Sequence, residues 1–402
     1  MPVTSCQLCG SDALELALDL GLHPLADTFL KKEQLNESDE RFPLQCLRCK
    51  ACGHAMNSYI VPATKRYQEN DYSYDSGNSK VAVSHFKELA ADVIQKRHLS
   101  SDDLVVDIGG NVGTLLAAFN EACGAQILNV EPAPNIAAVS EKNGIPTIQD
   151  FFNAAVAKNI AEKGGASAIT STNSFNHISD LNEFVENIGT ALQPDGVFVF
   201  EVPYLLPLIQ MTAFDTMYLE HISYFSVTPL AAYFKKKGMV IADIVENDYM
   251  GGSMRMSVGK SGAEFPELEQ WIVRETKEKL FEDDTYAQFR GRVEDFKSSL
   301  MAELTAAKKG GGRLIGIGAA TKGNTLLNYC GITKDLIEFI TDASPYKIGK
   351  YTPGSHILIQ PDEAITDAIT HALILPWNIG EFLKLKLSPK YPRIAFITPH
   401  VE

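Results

Sequence analysis

The chain has 402 residues, 45% of them hydrophobic and 21% charged, the balance of a globular protein rather than a disordered one. At roughly 100–200 residues per domain it has room for two or three domains. Lysine and arginine total 36 against 50 acids, a formal charge of −14, which argues against gripping a nucleic acid polymer and leaves room only for a local basic pocket.

No stretch suits a bilayer: the best apolar run, Val202–Ala213, is short and carries Pro203 and Pro207. The start, MPVTSCQLCG, has no basic segment followed by an apolar core, so no secretory signal is expected and a cytoplasmic enzyme is the default.

Five of the seven cysteines fall within the first 52 residues. The doublets Cys6-x-x-Cys9 and Cys49-x-x-Cys52 are each followed by glycine, Gly10 and Gly53, which suits a tight metal-binding knuckle. Four thiolates suit a tetrahedral, structural Zn²⁺ with no open position, holding together a segment too small for its own core. Cys46 and Cys49 also make a C-x-x-C. The glycine pattern favours Cys49 and Cys52, with Cys46 a strand residue facing a small core; Cys46 in place of either remains open. Between the doublets, Gly21–Leu25 reads as a turn and the acidic stretch Glu33–Glu40 as a surface loop.

Next, short apolar strands alternate with amphipathic helices, implying a parallel sheet covered on both faces. Leu104–Ile108 runs into Gly109-Gly110-Asn111-Val112-Gly113 and a helix over Thr114–Ala122. Ile127–Val130 closes with Glu131, Ala168–Ser171 is a third strand and Val197–Val202 a fourth. Asp180 is expected to cap a helix Leu181–Leu192 that Pro194-Asp195-Gly196 stops. Met254, Met256 and Val258 alternate with polar residues, as in an antiparallel edge strand. Then Tyr286, Phe289, Val293, Phe296, Leu300, Leu304 and Ala307 mark one face of a long helix ending at Gly310-Gly311-Gly312. A second α/β unit follows, with strands at Arg313–Ile317, Ile337–Thr341 and Ala372–Leu375.

The glycines after Leu104–Ile108, with Glu131 eighteen residues beyond Gly113, suit a nucleoside cofactor whose ribose hydroxyls bond the acid. Asp107, placed before the glycines, would repel a dinucleotide pyrophosphate and attract the cationic end of S-adenosyl-L-methionine. Asn173 and His177 follow the third strand at the same carboxyl edge of the sheet. The cluster Tyr218-x-Glu220-His221 lies beyond the fourth strand; from the residues alone, catalysis by His221 and a satisfied structural histidine both stand. Tyr72 and Tyr74 lie where the cysteine segment meets the first α/β unit, and on composition alone they read as core packing or surface aromatics. Gly316-x-Gly318-Ala319-x-x-Lys322-Gly323-Asn324 is a strand–turn–helix whose amides and Lys322 could hold an anion. The other reading is purely architectural, since the spacing is not that of a phosphate-binding P-loop.

Taken in order, these motifs resemble the S-adenosylmethionine-dependent sugar C-methyltransferases acting on nucleotide-linked keto-deoxysugars, the family that includes the kijanose-pathway enzyme. The likeness covers nearly the whole chain: Gly21–Leu30, Phe42–Gly53, Tyr72-x-Tyr74-x-Ser76, Val105–Thr114, Val130–Pro134, Pro194–Tyr204, Tyr218-x-Glu220-His221, Gly251-Gly252-Ser253 and Gly316–Leu327. The departures are an added Cys46, Leu219 between Tyr218 and Glu220, and the turn Gly110-Asn111-Val112.

The resemblance implies an α/β fold: an N-terminal Cys₄ zinc module (1–70), a central class I, Rossmann-like methyltransferase domain (71–262) and a C-terminal Rossmann-like domain for the nucleotide sugar (263–402). Cys6, Cys9, Cys49 and Cys52 match the zinc ligands. Asp107, Gly109, Gly113 and Glu131 match the cofactor site, joined by Asn173. Tyr72, His177, Tyr218, Glu220 and His221 match the methyl-transfer site, with His221 as base and Glu220 orienting it or sharing its role. Tyr74, Gly318, Lys322 and Asn324 are expected to bind the sugar nucleotide. The implied reaction deprotonates a carbon next to the ketone of a 4-keto-sugar, C3 or C5, and methylates it. The implied partner is that small molecule alone, with no membrane and a monomer or weak homodimer. O- or N-methylation of another small molecule, and a non-catalytic zinc-containing binding protein, are the alternatives.

Overall fold

The structure, a computed structural model, describes residues 1–399. Leu14–His23 and Phe42–Cys49 form an antiparallel hairpin, extended by Ala55–Asn57 and by Ser223–Tyr224 from far along the chain. The cysteine segment therefore completes its sheet with a strand borrowed from the central unit.

The central sheet has seven strands in the order Val240–Asn247, Ser253–Gly259, Leu192–Pro203, Ala166–Thr172, Leu104–Ile108, Gln126–Val130, Thr147–Ile148. Its first two strands are antiparallel to their neighbours and the rest are parallel. Val105, Val106, Ala168, Ile169, Phe198 and Phe200 are almost entirely buried, as expected of strands covered on both faces. The order in which strands are added reverses at Leu104–Ile108, so its carboxyl end and that of Ala166–Thr172 open onto one crevice, where ligands bind in such sheets. Helix Thr114–Cys123 starts there, and Leu181–Ala191 is capped by Asp180, which accepts from the amides of Asn182 and Glu183.

A third sheet, all parallel, runs Ile359–Gln360, Ile340–Thr341, Leu314–Ile317, His371–Ile374, Ala395–Ile397. Helix Asp283–Lys309 links it to the rest. Tyr286, Phe289 and Val293 belong to the large core shared by the cysteine segment and one face of the central sheet, whereas Leu300 and Leu304 belong to the C-terminal core. Among the described residues, no helix is long and apolar enough to cross a membrane.

Four local expectations change. Gly21–His23 is strand, not turn; Gly21, at φ 87°, forms a register shift in the hairpin, and the chain turns only at Ala26-Asp27. The acidic loop includes a short 3₁₀ turn, Lys32–Asn36. Pro194–Gly196 do not stop a helix: Ala191 already ends it, Leu192 is extended, and the three residues lie in the next strand. The strand with Met254, Met256 and Val258 is not an edge. Val240–Asn247 pairs outside it, and all three side chains are fully buried.

Candidate active site

Each cysteine doublet folds as a knuckle. The amides of Gly10 and Gly53 donate to the carbonyls of Cys6 and Cys49 at 2.9 and 2.8 Å, with φ of 80° and 85°. The sulfurs of Cys6, Cys9, Cys49 and Cys52 all lie within 4.8 Å of one another, with Cys6–Cys52 and Cys9–Cys49 each at 3.6 Å. Zn–S bonds of about 2.3 Å in a tetrahedron put sulfurs roughly 3.8 Å apart, so this donor set fits zinc. Cys46 is not part of it. It lies on strand Phe42–Cys49, buried in the core, and burial pushes its thiol up to about 12.

A cavity of about 1160 Å³ opens where the three sheets meet. Asp107, Gly109, Glu131 and Asn173 line its floor, at the carboxyl ends of the central strands. Asp107 is buried and accepts from Thr170 Oγ1 at 2.7 Å; burial pushes its carboxyl up to about 7. Glu131 accepts from the amides of Ala133 at 2.8 Å and Asn111 at 3.1 Å, one per oxygen, and burial raises it to about 7 despite them. Each of its oxygens keeps a lone pair for a hydroxyl donor. Phe151 and Phe152 add apolar wall.

Gly113 is not on the cavity wall. It takes φ 82° as the cap of helix Thr114–Cys123, and a Cβ there would lie 2.6 Å from Ile145, so its role is packing. Asn324 is also displaced from the expected position. It is buried beneath the wall, where its amide donates to the Ala26 carbonyl at 2.6 Å and joins the C-terminal unit to the cysteine segment.

Above the floor sit Tyr72, Tyr74, His177, Tyr218, Glu220 and His221. His221 Nδ1 donates to the Thr216 carbonyl at 2.8 Å, and burial draws its pKa down to about 3. The ring is therefore neutral at pH 7, with its proton on Nδ1 and a lone pair on Nε2. Tyr218 packs on it with ring centroids 3.7 Å apart, and His177 meets it edge-on at 4.9 Å. Glu220 forms no hydrogen bond to His221. Its Oε1 accepts from the Asp27 amide at 3.0 Å while its Oε2 is buried with no protein partner. Burial, reinforced by the nearby Asp27, raises Glu220 to about 7. The orienting group for His221 is thus the Thr216 carbonyl rather than Glu220.

Three wall residues escape a reading by motif. Asp27, from the cysteine segment, accepts from Ser73 Oγ at 2.8 Å and Thr321 Oγ1 at 2.9 Å, tying three parts of the chain at the cavity. Tyr67 bonds His177 Nδ1 through its hydroxyl. Arg66 donates to the Val61 and His177 carbonyls at 3.0 Å each, and to the Tyr67 hydroxyl at 3.3 Å. The sequence signal for Asp27 was its place within Gly21–Leu30; Arg66 and Tyr67 carried none.

From the C-terminal unit, Gly318 and Lys322 reach the wall. The turn is not an open anion nest, because Asp342 already accepts from the Ala319 amide at 2.7 Å. Lys322 donates to the Met250 carbonyl at 3.1 Å and lies over the Trp377 ring, and burial lowers it to about 8.

Residues 248–392 match the C-methyltransferase C-terminal domain, residues 83–243 a methyltransferase domain, and residues 6–67 a domain family described by zinc binding. The chain is 31% identical over 382 residues to C-methyltransferase NovU from Streptomyces niveus, an alignment covering 94% of this chain and 90% of that one. Among solved structures, PH0226 from Pyrococcus horikoshii OT3 is similar at 12% identity and TM-score 0.38, over 47% of this chain and 95% of that one. An S-adenosylmethionine-dependent methyltransferase from Clostridium acetobutylicum ATCC 824 is similar at 13% identity and TM-score 0.36, over 46% and 94%. The four-sulfur cluster and the carboxylate-lined crevice agree with the matched domains, and the chain belongs to the S-adenosylmethionine-dependent C-methyltransferases, with a zinc-binding domain at its N-terminus.

Proposed function

We propose that the chain methylates a carbon next to the ketone of a nucleotide-linked 4-keto-deoxysugar, C3 first among the options. S-adenosyl-L-methionine, when bound, supplies an electrophilic sulfonium methyl group; the chain's own task is to make a carbon nucleophilic beside it. Asp107, Glu131, Gly109 and Asn173 would hold that cofactor, with the two carboxylates facing its cationic end and its ribose hydroxyls. The observation that carries the reading is the wiring of His221. Its Nδ1 proton is committed to the Thr216 carbonyl, so Nε2 keeps its lone pair on a ring that lines the cavity.

In this reading His221 Nε2 takes the proton from carbon, and the electron pair of the C–H bond moves toward the ketone oxygen. Glu220, raised to about 7, shares the proton load in its ionised form. Tyr72 and Tyr218 would hydrogen-bond the ketone or fix the sugar ring, and Tyr74 would contact the sugar. Gly318 and Lys322, on the C-terminal side, would face the nucleotide diphosphate, Lys322 as a cation. Zinc stays outside the chemistry and holds the segment that delivers Asp27.

The test is His221→Asn with a panel of nucleotide 4-keto-sugars. Turnover should fall about 10²–10⁴-fold, the usual range for a lost acid–base group. Deuterium should also stop washing out of the carbon beside the ketone. An unchanged turnover number removes His221 as base, and a new O–CH₃ or N–CH₃ signal in place of C–CH₃ removes the carbon-acid reading.

A further inference from the structure

His177 stands beside His221 and is wired the other way. The Tyr67 hydroxyl reaches its Nδ1 at 2.5 Å, its Nε2 is buried without a protein partner, and the residue lines the cavity. Arg66 favours one direction for this bond. A guanidinium can only donate, so its Nη1, 3.3 Å from the Tyr67 oxygen, uses a lone pair of that oxygen. The hydroxyl proton is then free to point at Nδ1, which accepts it, and the single proton of the neutral ring lies on Nε2. The opposite arrangement would make the Tyr67 oxygen accept twice and leave its own proton unpaired.

We propose that Tyr67, held by Arg66, is a positioning residue that keeps the His177 proton on Nε2, so that His177 donates a hydrogen bond to the enolate oxygen while His221 accepts the proton from carbon. This rests on the carbon-acid reading above. In the step, the C–H bond breaks and its proton goes to His221 Nε2. The bonding pair forms the new C=C bond, and the carbonyl π pair goes onto oxygen, where the N–H of His177 meets it. When the enolate carbon bonds the methyl group, the methyl–sulfur bond would break with its pair left on the donor's sulfur, the oxygen pair returns to re-form the ketone, and the hydrogen bond weakens. No proton leaves His177, so the device needs no co-reactant. Both rings must be neutral for the scheme. Burial lowers the pKa of each, and His221 and the Arg66 charge lower His177 further. Were the His177 proton on Nδ1 instead, its Nε2 would carry a lone pair and have no proton to offer the developing oxyanion.

The experiment is nitrogen-15 NMR of histidine-labelled, zinc-loaded full-length chain with S-adenosylhomocysteine, assigned with His177→Gln and His221→Asn. His177 should show a protonated Nε2 and His221 a protonated Nδ1. Tyr67→Phe should move His177 toward the other tautomer and lower kcat at least about tenfold, with KM for the sugar nucleotide within threefold; a lost oxyanion donor typically costs more. A wild-type His177 protonated on Nδ1 overturns the proposal, as does a Tyr67→Phe chain that keeps both the wild-type tautomer and the wild-type kcat. Because the tautomers are read without turnover, exclusive heteroatom methylation would sink the carbon-acid reading while leaving the wiring measurable.

Discussion

Replacing Asp27 by alanine tests whether the cysteine segment is part of the active site. The carboxyl accepts from Ser73 Oγ at 2.8 Å, Ser73 N at 3.3 Å and Thr321 Oγ1 at 2.9 Å. Ser73 is buried, whereas Thr321 is partly exposed and can turn to water. A buried donor left unpaired costs about 1–3 kcal/mol, so the two Ser73 donors give about 3 kcal/mol after some relaxation. At roughly 2–4 °C per kcal/mol for a domain of this kind, the melting temperature should fall by about 6–12 °C. Asp27→Asn keeps the shape and one acceptor oxygen and should lose roughly 1 kcal/mol. Both variants keep the backbone amide that holds Glu220, yet both remove the like charge that helps raise its pKa. The acid limb of the kcat/KM profile should therefore move to lower pH. Calorimetry with a pH–rate series measures both effects. A melting temperature within 2 °C of wild type and an unshifted acid limb in Asp27→Ala would refute the reasoning.

Affinity for S-adenosylmethionine should rise with pH, because Asp107 and Glu131 are both pushed up to about 7 by burial and the cofactor needs them ionised. Between pH 6 and 8 each group gives up to about a tenfold gain, so a flat titration by calorimetry contradicts the assigned roles. In the empty protein the same shifts act the other way. The folded pKa values exceed the unfolded ones, so stability is lost as pH climbs from about 4 through 7. Zinc should measure one per chain. Cys46→Ala should keep it, while Cys49→Ser should lose it along with methyl transfer; a zinc-free Cys46→Ala would reassign the ligands.

Much of the central fold was legible because its signals are local. A five-residue apolar strand running into glycines, an acid closing the next strand, and a glycine behind each cysteine doublet all declare themselves within a few positions. The 27-residue helix was visible from its spacing alone. What escaped was assembled at a distance. Asp27 meets Glu220 and Thr321 across 193 and 294 residues, and Tyr67 meets His177 across 110. Gly113 and Asn324 were misplaced for a related reason. In a glycine- or asparagine-bearing turn, a residue that contacts a ligand and one that packs against its own protein look alike in one dimension. Val240–Asn247 went unread, so its neighbour was mistaken for an edge.

The helix Asp283–Lys309 also bears on engineering. Its first half is cut to fit one core and its second half another, so no clean seam separates the C-terminal unit from the rest. A chimera joined before the helix brings in foreign Tyr286, Phe289 and Val293 partners; one joined at Gly310–Gly312 leaves the transplanted sheet without Leu300 and Leu304 of its own. Trading this unit between relatives will need one half of that rod recut to its new host.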